Sequence, residues 1–271
     1  EISLGLVGSE MCIRDSYKFD APKSWAGQRV KIFFDGVMTD AEIMINGKPA
    51  GEMHQGGFYR FNYDITELLN LGKKNQLEVK VAKESANRSI NAAERKADWW
   101  LFGGIYRPVW LEVLPQVHME HFVLNADHHG KLQTAVDMAG DAKGHEIIVS
   151  VRSLKDGKTV YTSNGQTTIT HPINNSDKEQ MISGEWASII PWSTENPNLY
   201  VAKLELKNPE GKIVQTRETR IGFRTVEFFP QDGVYLNGTK LVVKGINRHS
   251  FSVDGGRTTS AALSRMDALL I

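Results

Sequence analysis

The 271-residue sequence has one cysteine, Cys12, so no intrachain disulfide can staple the fold. It has no excess of either charge. Lys plus Arg and Asp plus Glu number 32 each, which gives no electrostatic ground for a nucleic-acid partner or an anionic membrane surface. No apolar run approaches the roughly 20 residues that cross a bilayer as a helix, so no membrane partner is expected. What is present is an ordinary composition, 41% hydrophobic and 24% charged, in a chain long enough for two or three domains with their own cores.

The first sixteen residues, EISLGLVGSEMCIRDS, lack the basic start and sustained apolar stretch of an export signal. Residues 5–16 can instead be written as codons of a transposon-type sequencing adaptor, and residues 1–16 are expected to be an unstructured artefact. Cys12 lies in that stretch, so a cysteine nucleophile and a thiolate metal site are not expected, and cysteine usage says nothing of localisation.

From residue 17 to 115, short alternating runs separated by turn signals predict strands. RVKIFFDGV places Val30, Ile32 and Phe34 on one face, AEIMING runs into an Asn46-Gly47 hairpin turn, and NQLEVKV alternates through Leu77, Val79 and Val81. In DITELL, Asp64 and Glu67 have capping-box spacing. The pattern suits a sandwich or jelly roll. Residues 116–222 repeat the style, with hairpins around Asp156-Gly157 and Pro209-Glu210-Gly211-Lys212, and predict an immunoglobulin-like sandwich of about seven strands. Residues 223–271 change character. LVVKGI, Leu241 to Ile246, reads as a strand buried on both faces. A polar loop and a helix with Ala262, Met266, Leu269 and Leu270 at helical spacing follow. One βα unit cannot close a barrel, so truncation at the C-terminus is expected.

Two places could carry chemistry. Asn247, Arg248 and His249 open the loop after the βα strand, where a β/α barrel places its active site; His249 could equally be a solvated loop residue. In KADWWLFGGIYRPVWLEV, Trp99 and Trp100 could wall a pyranose while Asp98 accepts from its hydroxyls. They could instead fill a core, with Asp98 paired to Arg95, Lys96 or Arg107. His128-His129 and the segment around Trp192, Pro197 and Tyr200 read as turns, and Gly255-Gly256-Arg257 lacks the lysine and spacing of a phosphate loop.

Four segments in order, GVMTDAEIMINGKPAGEMHQGGFYRFNYDIT, DWWLFGGIYRPVWL, WSTENPNLY and GFRTVEFFPQDGVYLNGTKLVVKGINRHSF, resemble those of glycoside hydrolase family 2 across residues 17–271. The resemblance implies a mostly β chain: a jelly-roll sugar-binding domain (17–115), an immunoglobulin-like sandwich (116–222) and the start of a truncated TIM-barrel catalytic domain (223–271). It implies that Asp98 and His249 meet at one sugar pocket with Asn247 and Arg248. Trp99 and Trp100 stand beside it, and Gly103, Gly104 and Arg107 form the turn and anchor that hold Asp98.

Retaining members use two glutamates about 5 Å apart, and both would lie beyond Ile271, so no catalytic residue is expected here and the chain is expected to be inactive. Asn-Arg-His is similar to the galactosidase-type members, although Ser250 stands where many carry an acid. The implied activity is hydrolysis of a terminal β-linked sugar by a β-galactosidase; the alternative is a non-catalytic carbohydrate-binding or scaffold protein of two sandwiches. No cofactor is expected in this stretch. The full-length enzyme could use Mg or Na, with Asp98 a partial ligand at most, and could be a homo-oligomer acting on carbohydrate.

Overall fold

The computed structural model describes residues 12–96 and 103–271. The chain forms two compact units, Glu1–Val113 with Ile246–Ile271, and Leu114–Gly245. The stretch 223–271 is therefore divided between them.

The first unit contains strands β1 (Cys12–Ala21), β2 (Arg29–Phe34), β3 (Val37–Met38), β4 (Asp40–Ile45), β5 (Lys48–Pro49), β6 (His54–Gln55), β7 (Phe61–Asp64), β8 (Lys73–Ala82), β9 (Gly104–Ile105) and β10 (Val109–Leu114). One sheet runs β1-β8-β4-β5, with β6 also on β4; a second runs β10-β2-β7, and β3 pairs with β9. The period-two pattern decides which faces meet. Val30, Ile32 and Phe34 join Ile43, Ile45, Leu77, Val79 and Val81 in one core. The Asn46-Gly47 turn forms as expected, with both residues at positive φ (52° and 77°), the geometry that a two-residue hairpin needs.

Three expectations change. Residues 12–16 are not unstructured: Cys12–Ser16 form the first half of β1, in antiparallel register with β8 from Cys12↔Ala82 to Ser16↔Glu78. A sheet edge offers a row of backbone donors and acceptors, and it takes a strand through them with little demand on side chains. At DITELL, the helix is one 3-10 turn, Thr66–Leu68. Asp64 accepts from the Thr66 N–H at 3.0 Å and hydroxyl at 2.6 Å and meets Arg29 at 2.5 Å, so its carboxylate serves a turn instead of a capping box.

The third change concerns Leu241–Ile246. Only Thr239–Leu241 is strand, β21 below, and residues 242–250 are exposed without regular structure. A strand buried on both faces needs a neighbour on each side to satisfy its backbone. None is present among the described residues, and Val242 and Val243 stand 76% and 75% exposed. The helix beyond is formed: α2 (Ala261–Leu270), capped by Ser260, whose side chain accepts from the Leu263 N–H. A shorter helix, α1 (Arg88–Glu94), precedes it in the chain and is capped by Asn87.

The second unit contains β11 (His118–Ala126), β12 (Lys131–Ala139), β13 (Glu146–Ser153), β14 (Thr159–Val160), β15 (Thr168–Pro172), β16 (Glu179–Glu185), β17 (Tyr200–Lys207) and β18 (Ile213–Ile221). Sheet β11-β12-β16 faces sheet β14-β13-β17-β18, which also holds β15 on β13, over a core that includes Leu132, Val136, Ile147, Leu204 and Phe223. A meander follows: β19 (Val226–Phe229), β20 (Gly233–Leu236) and β21 (Thr239–Leu241). His128 and His129 are in a turn, and His128 Nδ1 lies 2.6 Å from Thr225 Oγ1. Trp192 is tied to the segment after β18, donating from its N–H to Phe223 O at 2.9 Å while Arg224 lies over its ring.

Candidate functional site

The segment that carries Asp98, Trp99 and Trp100 lies outside the described residues, but both of its flanks are fixed within the first unit. On the N-terminal flank, residues 83–96 are bound to strand β4 and its neighbours. Asp40, 3% exposed, accepts through Oδ2 from the Ala86 N–H at 2.8 Å and from Gln55 Nε2 at 3.0 Å. Asn91 exchanges bonds with Ser85, at 2.9 Å and 2.6 Å. Arg95 is buried and donates from Nη1 to Thr39 Oγ1 at 3.3 Å. A buried guanidinium persists only where polar groups receive it. Burial pushes its pKa down; Glu84 and Glu94 oppose that, and Arg257 adds to it.

On the C-terminal flank, Gly103 packs against Lys83, and Gly104 pairs with Met38 across β3 and β9. Gly104 sits at φ +103°, a conformation that side chains with a Cβ resist. The Gly103-Gly104 pair, expected as a turn, is instead a bridge residue followed by the first residue of β9. Arg107 is exposed and lies over the Tyr106 ring, 5.2 Å from its centroid.

The two flanks converge on Gly57. The Gly57 N–H donates to Glu94 Oε2 at 2.8 Å, and the Tyr106 hydroxyl donates to Gly57 O at 2.5 Å. A Cβ on Gly57 would meet Met38 Cγ at 2.7 Å, so only glycine allows the loop so close. The Tyr106 hydroxyl is pushed up by burial, with Arg107 and Arg257 opposing. Beside this loop, His54 stacks on Phe61 with centroids 3.6 Å apart and donates from Nε2 to Gly56 O at 2.9 Å. Burial holds its imidazole below the ordinary value.

The third sequence-distant segment to arrive is the loop after Ile246. Arg257 lies over the ring of Phe58, 5.1 Å from its centroid, and its charge reaches both Arg95 and Tyr106. Asn247, Arg248 and His249 are exposed on this same loop. Arg248 is engaged by α2, donating from Nε to Asp267 Oδ2 at 2.6 Å. The sequence reading named none of Gly57, Phe58, Glu94, Tyr106 and Arg257 as site residues. The Gly56-Gly57 doublet before an aromatic residue was the available signal.

Among the described residues no three His, Cys, Asp or Glu side chains are grouped to hold a metal ion.

The family model for the sugar binding domain of glycosyl hydrolases family 2 matches residues 11–115, and the family 2 model itself matches residues 117–224. The chain belongs to glycoside hydrolase family 2. The first match includes Cys12–Ser16, which form the start of β1. The family chain is 30% identical over 243 residues to a β-galactosidase of Thermoanaerobacter pseudethanolicus, covering 88% of this chain and 32% of that one. It is 30% identical to a putative β-glucuronidase of Formosa agariphila, covering 89% and 28%. Among solved structures, an FMN-binding β-glucuronidase of Facaelibacterium prausnitzii superposes with TM-score 0.81 at 24% identity, over 96% of this family 2 chain and 40% of that one. A putative β-galactosidase from Bacteroides fragilis gives 0.78 at 22%, over 96% and 40%; both likenesses concern the fold. The chain spans about a third of the length of the curated relatives named here.

Proposed function

We propose that this chain is the N-terminal part of a retaining exo-β-glycosidase, a β-galactosidase, and that it contributes one wall of the sugar pocket without the two glutamates that cleave the bond. The observation that carries this reading is the convergence on Gly57–Phe58. Glu94 and Tyr106 bind the loop from the two flanks of the Asp98 segment, and Arg257 reaches it from the loop that carries His249. Asp98 would accept from sugar hydroxyls, Trp99 and Trp100 would offer an apolar face to the ring, and His249 and Asn247 would donate from the facing loop. Arg248, held by Asp267, would orient that loop. The galactoside preference rests on Asn-Arg-His, and the sugar class on the family.

A wall without the rest of its pocket binds weakly, with dissociation constants on the order of millimolar. Saturation-transfer NMR on the 271-residue chain is expected to detect methyl β-galactoside more strongly than methyl β-glucuronide. The signal should vanish in Asp98→Ala and in His249→Ala. Nitrophenyl β-galactoside should not be hydrolysed. Equal signals in wild type and both variants would remove these residues from the pocket, and turnover by the pure chain would overturn the assignment of the catalytic groups to a later segment. Tight binding that survives His249→Ala but not Asp98→Ala would favour a carbohydrate-binding module.

A further inference from the structure

We infer that Arg257 and Phe58 form a latch that seats the loop carrying His249 on the sugar-binding domain, with Arg257 as a positioning residue. The inference deepens the proposed sugar pocket and rests on it for its functional meaning. The burial profile of the loop locates the latch. Residues 242–250 are exposed one after another, and partial burial resumes at Phe251, Ser252 and 255–257.

The tip of the loop is closed on itself. Ser252 and Gly256 exchange backbone bonds at 2.8 Å and 2.9 Å, and the Thr258 N–H donates to Gly255 O at 2.9 Å. A Cβ on Gly255 would meet Thr258 O at 2.6 Å, so the turn depends on that glycine. Such a tip presents Arg257 from a rigid base. A planar guanidinium over an aromatic face is held by the ring's quadrupole, and partial desolvation strengthens the contact.

The receiving side is equally fixed. Phe58 follows Gly57, and Gly57 is held by Glu94 and Tyr106 at 2.8 Å and 2.5 Å. Arg257 acts on the buried Arg95, where Glu84 and Glu94 oppose it, and with Arg107 it acts on Tyr106. One anchor thus fixes the flanks of the Asp98 segment and the His249 loop together, which is the preorganisation a binding wall requires.

Hydrogen exchange by mass spectrometry on the full 271-residue chain tests this. Arg257→Gln should speed exchange of peptides within 247–259 by about three- to fivefold, as loss of one cation–π contact on an exposed ring predicts, while β4 and β8 keep wild-type protection. Phe58→Leu should do the same. Arg257→Lys should restore most of the protection, because an ammonium keeps the attraction to the ring. The double variant Arg257→Gln with Phe58→Leu should be no worse than either single change. Wild-type exchange in Arg257→Gln, a lysine variant as open as the glutamine one, or additive effects in the double variant would each overturn the latch. Protection that responds as expected in a chain with no detectable sugar binding would keep the latch and remove the sugar pocket instead.

Discussion

The two units bury polar side chains in comparable number and use them differently. In the second unit, the buried polar groups of Gln215, Gln180 and Thr162 are neutral amides and a hydroxyl that bond to backbone, both locally and across the chain. Gln215 accepts from the Met119 N–H at 2.6 Å, Gln180 donates to Asp177 O at 2.7 Å, and Thr162 closes its own turn on Gln166. In the first unit, Asp40 and Arg95 are buried charged groups, and they fasten a segment that lies about fifty residues further along the chain to strand β4. Burying charge is costly unless partners receive it. Asp40 pairs with Gln55, two residues before Gly57, and Arg95 follows Glu94, which holds Gly57, so both buried charges belong to the elements that fix that loop.

Core truncation breaks the comparison most strongly. Phe34, fully buried and stacked on Phe61 with centroids 5.0 Å apart, should cost about 3–5 kcal/mol as Phe34→Ala. Leu204→Ala, in the core of the second unit, should cost about 2–5 kcal/mol. Urea unfolding followed by hydrogen exchange should show each variant weakening its own unit; simultaneous loss in both units would mean that they unfold as one. Gly57→Ala comes next. Its methyl would press on Met38, an overpacking cost of about 1–3 kcal/mol, and exchange should rise in peptides 54–60 and 88–96 while the second unit is unchanged.

The sandwich faces were legible because a period of two assigns every second residue to the core without knowledge of the partner strand. Val30, Ile32 and Phe34, and Leu77, Val79 and Val81, are all buried as the alternation requires. The Leu241–Ile246 run was misleading for the complementary reason: apolar content says that a segment wants neighbours, not that the described chain supplies them. The convergence on Gly57 and Phe58 was illegible because it is made of single contacts between segments far apart. Glu94 reaches back 37 residues to Gly57, and no local pattern announces that. Gly255-Gly256-Arg257 was visible only as a failed phosphate loop, whereas its use is to hold an arginine over Phe58. Asp98 falls outside the described residues.

A smaller effect sharpens the contrast at His54. Its imidazole pKa is lowered from 6.5 by burial, so the folded state binds fewer protons than the unfolded one. Stability from this group is fully present above 6.5 and falls as pH drops through that value toward the folded pKa. The first unit should therefore lose stability between pH 7.5 and pH 5 by more than His54→Gln does, with exchange in peptides 54–60 rising first. An identical pH response in the variant would show that His54 remains solvated.

The smallest predicted effect lies at the other end of the first unit, where β1 itself has two unlike halves. Phe19 and Ala21 bury their side chains, while Cys12 to Ser16 are paired mainly through backbone. Arg14 meets Glu78 at 2.6 Å on the exposed side, but surface pairs contribute little. Asp15 Oδ2 is buried without a hydrogen-bond partner, opposite Val79, and burial raises its carboxyl pKa above 3.8. A raised carboxyl favours the folded state when protonated, so its contribution is fully present below 3.8 and is lost as pH climbs through the folded pKa. At neutral pH the strand end carries an inward charge. Asp15→Val should slow exchange of peptides covering 12–16 at pH 7 by a few-fold and abolish the acid-side gain in protection, leaving Phe19 to Ala21 as they are. If protection of 12–16 is unchanged by the valine, side-chain fit plays no part there, and the edge of β8 holds its partner by backbone alone.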